Sequence, residues 1–271
     1  ESALPLSFLY MKTTALITGA SSGIGMALAK VFASKGHDLI IVARNSQALE
    51  LLRAELTAQY AINVKVFQKD LSEFNAAQAL YADIKQSGLT VDYLINNAGF
   101  GDFGMFAETN WEKTQQMLAL NIVALTQLTH LVLKDMHAKQ QGRIMNVAST
   151  AAFQACPKMA VYAATKAYVM SFTEAINNEY KSFGVTATAL CPGPTESGFM
   201  DAASMHNSAA FKGKKLPSSM DVAVYAYKAM MKGKSVAIHG VINAILANAG
   251  RFIPRDWVTA ITRKVLDSSA K

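Results

Sequence analysis

The feature that most constrains this chain is an apolar strand, a glycine turn and a helix, in that order, near its start. Thr13 to Thr18 is a short apolar run, and Gly19-Ala20-Ser21-Ser22-Gly23-Ile24-Gly25 follows directly. A helical pattern then extends from Gly23 to Lys35. Glycines permit a tight turn and let backbone N–H groups approach a pyrophosphate, while the helix N-terminus adds partial positive charge. The glycine string alone would mark only a turn. Between a buried strand and a helix it marks a dinucleotide site.

The same rhythm continues. Asp38 to Ala43 (DLIIVA) is a continuous apolar run, as in strands covered on both faces of a parallel sheet. Helical spacing from Gln47 to Tyr60 precedes a third strand, Asn63 to Gln68. Ser72 is placed to cap a helix running toward Gln86. Val91 to Asn96 is a fourth strand, and a helix from Asn110 to about Lys139 is broken near Asn121. Ile144 to Val147, a long helix from Ala160 to Lys181, and Gly184 to Leu190 follow. Met220 to Met231 is helical, and Ser235 to Ile238 makes a seventh strand. Alternation of this kind predicts an α/β fold. The expected form is a Rossmann-type doubly wound sandwich, with a mainly parallel sheet of about seven strands and helices on both faces.

No linker, repeat or change of composition divides residues 11–271, which are expected to form one dinucleotide-binding and catalytic domain. Residues 1–10 lack a basic n-region and a cleavage site and are taken as a short leader or appended remnant. The segment from about 191 to 219, with three prolines and three glycines, is the expected substrate loop. From about 240 to 271 a helical tail is expected to pack on the body, its amphipathic stretch running from Asp256 to Leu266, with a substrate-pocket wall, a dimer contact or weak membrane contact as the alternatives.

Composition excludes several classes. Hydrophobic residues make up 51% of the chain and charged residues 17%, which rules out extensive disorder. The net charge of +7 suits an anionic ligand but is too diffuse to argue for nucleic acid. Cys156 and Cys191 are the only cysteines, and no Cys/His cluster suggests a metal, so a reducing, cytoplasmic setting is expected. No stretch was expected to reach the roughly 18 apolar residues of a membrane span, so no stable membrane insertion is anticipated.

The end of the second strand discriminates between cofactors. An acid there would bind a ribose 2′-hydroxyl; this chain has Arg44 instead, whose guanidinium suits a 2′-phosphate. NADP(H) is therefore favoured over NAD(H). Tyr162 and Lys166 stand at i and i+4 of a helix, on one face. A cation about 5 Å from a phenol, at an effective dielectric near 20, is worth roughly 3 kcal/mol, or about two pKa units. Such a pair is expected to bring the tyrosine toward a usable range for acid–base work. Gly19, Asn96, Ser149 and the Leu190-Cys191-Pro192 run all fall at strand carboxyl ends, where ligands of open α/β sheets bind.

Taken together these residues resemble the short-chain dehydrogenase/reductase family, in its short single-domain branch. The resemblance covers about residues 12 to 240. It rests on TGASSGIG at 18–25, Asp70-Leu71, NNAG at 96–99, Asn121, Ser149, Tyr162 with Lys166, and Pro192-Gly193. It implies reduction of a ketone or aldehyde to an alcohol by NADPH. Tyr162 would be the proton donor and Ser149 the hydrogen-bonding partner of the carbonyl oxygen. Lys166 would lower the tyrosine pKa and bind the nicotinamide ribose, and Asn121 would hold a water of a proton relay. Asp70 would accept from the adenine amino group, with Leu71 beside it. The cofactor cleft would be lined by Gly19, Ser21, Ser22, Gly23, Ile24, Gly25, Asn97, Ala98, Gly99, Pro192 and Gly193. Family members often carry a threonine after the Pro-Gly pair; here Ser197 holds that place and Thr195 is nearby, so either hydroxyl is a candidate. The resemblance also implies a homodimer or homotetramer, with contact faces near 110–135 and 160–182.

The competing reading is an NADP(H)-binding regulatory or interaction protein without turnover. An intact Asn121, Ser149, Tyr162 and Lys166 argues against it, because a binding module needs no acid. Substrate specificity is assigned to residues around 100–106, 150–160 and 194–219. Phe100, Phe103, Phe106, Phe153 and Phe199 are candidate apolar lining for acyl, steroid or aromatic carbonyls, with Cys156, Met200 and Met205 as further candidates.

Overall fold

A computed structural model describes residues 12–196 and 216–267. The expected leader, Ser197, Phe199, Met200 and Met205 lie outside the described residues. Seven strands form one parallel sheet: β1 (Thr14–Thr18), β2 (Asp38–Ala43), β3 (Val64–Gln68), β4 (Tyr93–Asn96), β5 (Gly142–Val147), β6 (Val185–Cys191) and β7 (Val236–Ile238). Their spatial order is β3-β2-β1-β4-β5-β6-β7. The chain therefore reverses direction across the sheet between β1 and β4, and this switch point opens a crevice at the strand ends.

The continuous apolar strands are explained by two cores. Leu39 and Ile41 of β2, with Ala15 and Ile17 of β1, enter one core; Ile40 and Val42, with Leu16, enter the other. Successive side chains point to opposite faces, so a strand covered on both sides must be apolar throughout. The first face is covered by α1 (Gly23–Ser34), α2 (Ser46–Gln59) and α7 (Ser219–Met231), through Phe32, Leu49 and Val222. The second is covered by α3 (Ala76–Gln86), α5 (Leu125–Lys139) and α6 (Ala160–Tyr180), through Leu80, Leu128 and Ile176.

Most element ends fall within a residue or two of their expected places. Ser72 is an exception. It caps no helix, because its backbone N–H and hydroxyl both donate to Asp70 Oδ1, at 2.9 and 2.6 Å. The helix starts instead at Ala76, after Asn75 in a left-handed conformation. The expected break near Asn121 is a π-turn, Ala119–Ala124, joining α4 (Trp111–Leu118) to α5. This helical run, Trp111–Lys139, is after all long and apolar enough to cross a membrane by length and composition. It is packed instead: Leu125, Leu128, Val132 and Met136 are buried against the sheet and its covering helices. A core helix between sheet and neighbours needs the same apolar composition.

A ladder of buried polar side chains runs under the strand ends. Asn96 Nδ2 donates to Thr129 Oγ1 and to Asn146 Oδ1, both at 2.9 Å, and Asn146 Nδ2 donates to Thr173 Oγ1 at 2.9 Å. All four residues are buried. Removing the middle member leaves two buried groups without that partner. Asn146→Ala is expected to destabilise the fold by about 2–4 kcal/mol. Urea unfolding that differs from wild type by under about 1 kcal/mol would show the ladder to be energetically slack.

Candidate active site

The carboxyl ends of β1, β4, β5 and β6 open onto one cleft of about 900 Å³. At its floor lies the glycine turn. Gly19 and Gly23 have φ of +67° and +53°, a region that favours glycine. Gly25 does not line the cleft. A Cβ there would stand 2.2 Å from the Gly19 carbonyl oxygen, so this glycine lets α1 pack against the turn. Ser21, Ser22, Gly23 and Ile24 do line the cleft. The α1 N-terminus has no side-chain cap and no acid in its first turn, so its N–H groups and dipole are available to an anion.

Asn97 and Thr18 brace this floor. Asn97 Nδ2 donates to the carbonyls of Thr18 and Gly19, at 2.9 and 3.2 Å. Thr18 Oγ1 accepts from the backbone N–H groups of Asn97 and Ala98, both at 3.0 Å. Gly99 is required by proximity, since a Cβ there would be 2.9 Å from Asn121 Oδ1. Asn121 is buried and does not reach the cleft surface. Its amide donates to Phe100 O (3.0 Å) and Thr165 Oγ1 (3.1 Å), and its carbonyl accepts from Phe100 N (3.2 Å). The side chain thus clamps the loop after β4 to α6.

At the far end, Arg44, Lys69, Asp70 and Leu71 line the cleft. Arg44 is 72% exposed and lies 3.6 Å from Asp70, a loose surface pair that a phosphate can displace. Burial would raise the Asp70 pKa, but the Ser72 hydroxyl and N–H and the Arg44 guanidinium outweigh it and hold the carboxyl below its usual range.

The central group is Ser149, Tyr162 and Lys166. Ser149 closes β5 and caps the following turn, accepting from Ala151 N at 3.1 Å. Its hydroxyl also hydrogen-bonds the Tyr162 phenol. Lys166 Nζ donates to Val147 O at 2.7 Å and stands 5.8 Å from the centroid of the Tyr162 ring. The i, i+4 placement is as expected, but the electrostatic outcome is reversed. Burial pushes the phenol up to about 12, more than the Ser149 bond lowers it, and burial presses the Lys166 ammonium down to about 8. An ammonium that is itself costly to charge gives a phenol little help.

Pro192, Gly193 and Thr195 line the cleft beside this group. Thr195 Oγ1 donates to Gly193 O at 2.9 Å. Of the aromatic candidates, Phe100 lines the cleft. Phe103 packs beneath it, Phe106 is exposed, and Phe153 joins another cluster. Cys156 lines the cleft, and Cys191 is buried at the end of β6.

The residues that sequence reasoning missed come from the tail. Helices α8 (Val241–Ala249) and α9 (Arg255–Asp267), joined by the turn Gly250–Phe252 into a helix–turn–helix hairpin in chain order, both line the cleft, so of the expected alternatives the tail takes the pocket wall. Asn243, Leu246, Ile253, Val258, Ile261 and Val265 line its wall. Asn243 sits against Gly193, where a Cβ would meet its amide nitrogen at 2.5 Å. The only signal was the apolar spacing of 241–246 and 257–266, which any packed helix shares. Lys158 holds the hairpin's end through Asp267, at 2.5 Å.

A profile of the short chain dehydrogenase family matches residues 13–208. The chain belongs to that family. Among its relatives, 17-beta-hydroxysteroid dehydrogenase type 3 of Mus musculus is 34% identical over 196 residues, covering 70% of this chain and 63% of the relative. Very-long-chain 3-oxoacyl-CoA reductase of Anas platyrhynchos is 30% identical over 184 residues, covering 66% and 58%. This chain thus spans less than two thirds of the length of either relative. The solved structure of a short-chain dehydrogenase from Sphingobium yanoikuyae in complex with NADPH superposes with a TM-score of 0.81 at 29% identity, covering 89% of this chain and 92% of that one. The cleft lies at the strand carboxyl ends of that family's nucleotide-cofactor-binding fold.

Lys166 gives a test of the site's electrostatics. Burial holds its folded pKa at about 8, below the ordinary lysine value of 10.5, so between these the unfolded chain binds more protons and stability rises with pH. At pH 7 the cost of burying the charge is nearly complete. Lys166→Met removes that cost and loses the bond to Val147 O, for an expected net gain of about 1–2 kcal/mol at pH 7. Thermal melts should show the gain shrinking toward alkaline pH. A variant less stable than wild type at neutral pH would refute the buried-ammonium account.

Proposed function

We propose that this short-chain dehydrogenase is an NADPH-dependent reductase of a bulky, apolar ketone or aldehyde. The observation that carries the reading is the Ser149–Tyr162–Lys166 group at the base of a cleft whose opposite wall is the apolar hairpin. The uncapped α1 N-terminus fits a pyrophosphate and the Arg44–Lys69 end fits a 2′-phosphate. The NADPH complex of the Sphingobium yanoikuyae relative supports the same choice. Thr195, which lines the cleft, is the candidate hydroxyl for the nicotinamide end among the described residues of this loop.

When bound, the dinucleotide supplies a hydride to the carbonyl carbon. The chain's own residues do the rest. Ser149 donates to the carbonyl oxygen and orients it. Tyr162, protonated at neutral pH because its pKa lies near 12, delivers the proton that turns the developing alkoxide into an alcohol. Lys166 anchors the tyrosine's helix to β5 and offers its remaining N–H groups to ribose hydroxyls. The tail helices and Phe100 offer apolar surface to the substrate beside this group.

The decisive assay follows NADPH consumption across steroid, long-chain 3-oxoacyl and aromatic carbonyls. Tyr162→Phe is expected to lower kcat/KM by about 10²–10⁴-fold while leaving NADPH binding intact. Turnover by that variant at the wild-type rate would sink the assignment. No turnover by wild type on any carbonyl, with NADPH bound, would favour a regulatory protein. Arg44→Ala is expected to raise the Kd for NADPH by about tenfold or more and leave that for NADH little changed. Equal losses for both would move the 2′-phosphate contact elsewhere.

A further inference from the structure

The hairpin that walls the cleft is apolar on both sides. One set, including Leu246, Ile261 and Val265, lines the cleft and is itself 65%, 58% and 50% exposed. A second set does not line the cleft and is turned to solvent: Val241, Ile242, Ile245, Phe252 and Trp257. Phe252 is 88% exposed, Val241 77%, Ile242 73% and Trp257 68%. Isolated exposed apolar residues are ordinary, but five large ones on two short helices and the turn between them mark a surface that meets something. Packing on the body does not account for it, because α8 and α9 each bury a single side chain, Ala247 and Leu266.

Cations border the same face. Arg251 and Arg255 are exposed and flank Phe252, with Arg263 and Lys264 further along α9. Of the two acids on the hairpin, Asp267 is engaged by Lys158 and Arg263, leaving Asp256 as the lone acid beside Trp257. Large apolar and aromatic side chains projecting between arginines match the boundary between acyl chains and anionic headgroups. The chain's net charge of +7 adds attraction in the same direction. An isologous contact with a second copy would instead bring this cation-bordered face against itself.

We propose that the outer face of the α8–α9 hairpin docks on an anionic phospholipid surface, with Phe252 and Trp257 entering the acyl boundary and Arg251 and Arg255 at headgroup phosphates. This is peripheral docking and does not depend on the catalytic reading. Its consequence is geometric: the element that touches lipid on one side is the wall of the cleft on the other.

Trp111 and Trp257 are the only tryptophans, so Trp111→Phe leaves Trp257 as a reporter. The full chain is mixed with phosphatidylcholine vesicles, with and without phosphatidylserine. Expected are co-sedimentation with the phosphatidylserine vesicles, a shift of Trp257 emission to shorter wavelength, and weakening of both by salt. The double variant Phe252→Ser, Trp257→Ser should bind at least about tenfold more weakly. Its far-ultraviolet circular dichroism and NADPH binding should be unchanged. Arg251→Ser with Arg255→Ser should abolish the preference for phosphatidylserine, giving a second test with the apolar face intact. Absence of binding to anionic vesicles, or binding unchanged in both variants, overturns the proposal. So does a fall in molecular mass of the serine double variant measured by light scattering without lipid, which would make the face a subunit contact.

Discussion

The site depends on the junction of β1 and β4. Thr18 Oγ1 and the Asn97 amide together tie the end of β1, the Gly19 turn and the start of the loop after β4 into one unit. At this junction the sheet reverses its order, so the two loops that leave it diverge and a crevice must open between them. Gly25 packs α1 so closely onto this unit that no side chain is tolerated. The glycines are therefore of two kinds. Gly19 and Gly23 shape the turn by conformation, whereas Gly25 and Gly99 admit a neighbour by size.

Electrostatics in the cleft are set by burial before they are set by partners. Tyr162 and Lys166 are both pushed toward their neutral forms, one upward and one downward. Pairing a phenol with an ammonium at helical spacing does not guarantee a lowered phenol pKa, because the same enclosure taxes both charges. Asp70 shows the opposite balance: it is only partly enclosed, and local donors and Arg44 outweigh desolvation. The Arg44–Asp70 end of the cleft is thus partly open to solvent, while Tyr162 and Lys166 are enclosed.

The hairpin distinguishes this cleft from the bare nucleotide fold. It lies beyond the region matched by the family profile, which ends at residue 208. Its inner side supplies much of the apolar wall, and Asn243 reaches Gly193 in the loop after β6. Lys158, in the segment just before α6, grips its far end. The tail helices, the segment before α6 and the loop after β6 are consequently linked by direct contacts.

The strand and helix order was legible in the sequence because period-2 and period-3.6 burial leave direct marks on residue order. The glycine turn, Arg44, Ser149, Tyr162 and Lys166 were legible for a related reason: each lies at a strand end or one helical turn from its partner. Four things were decided only by tertiary packing. Asn146 looked like one more strand residue until Asn96 and Thr173 met it across two elements. Ser72 left its capping role because Asp70 took both its donors. The tyrosine pKa followed from enclosure by distant segments, which no local spacing encodes. The tail became the cleft wall because its helices met strand ends far from them in sequence. Local periodicity reports which side of an element is buried; only the assembled fold decides against what.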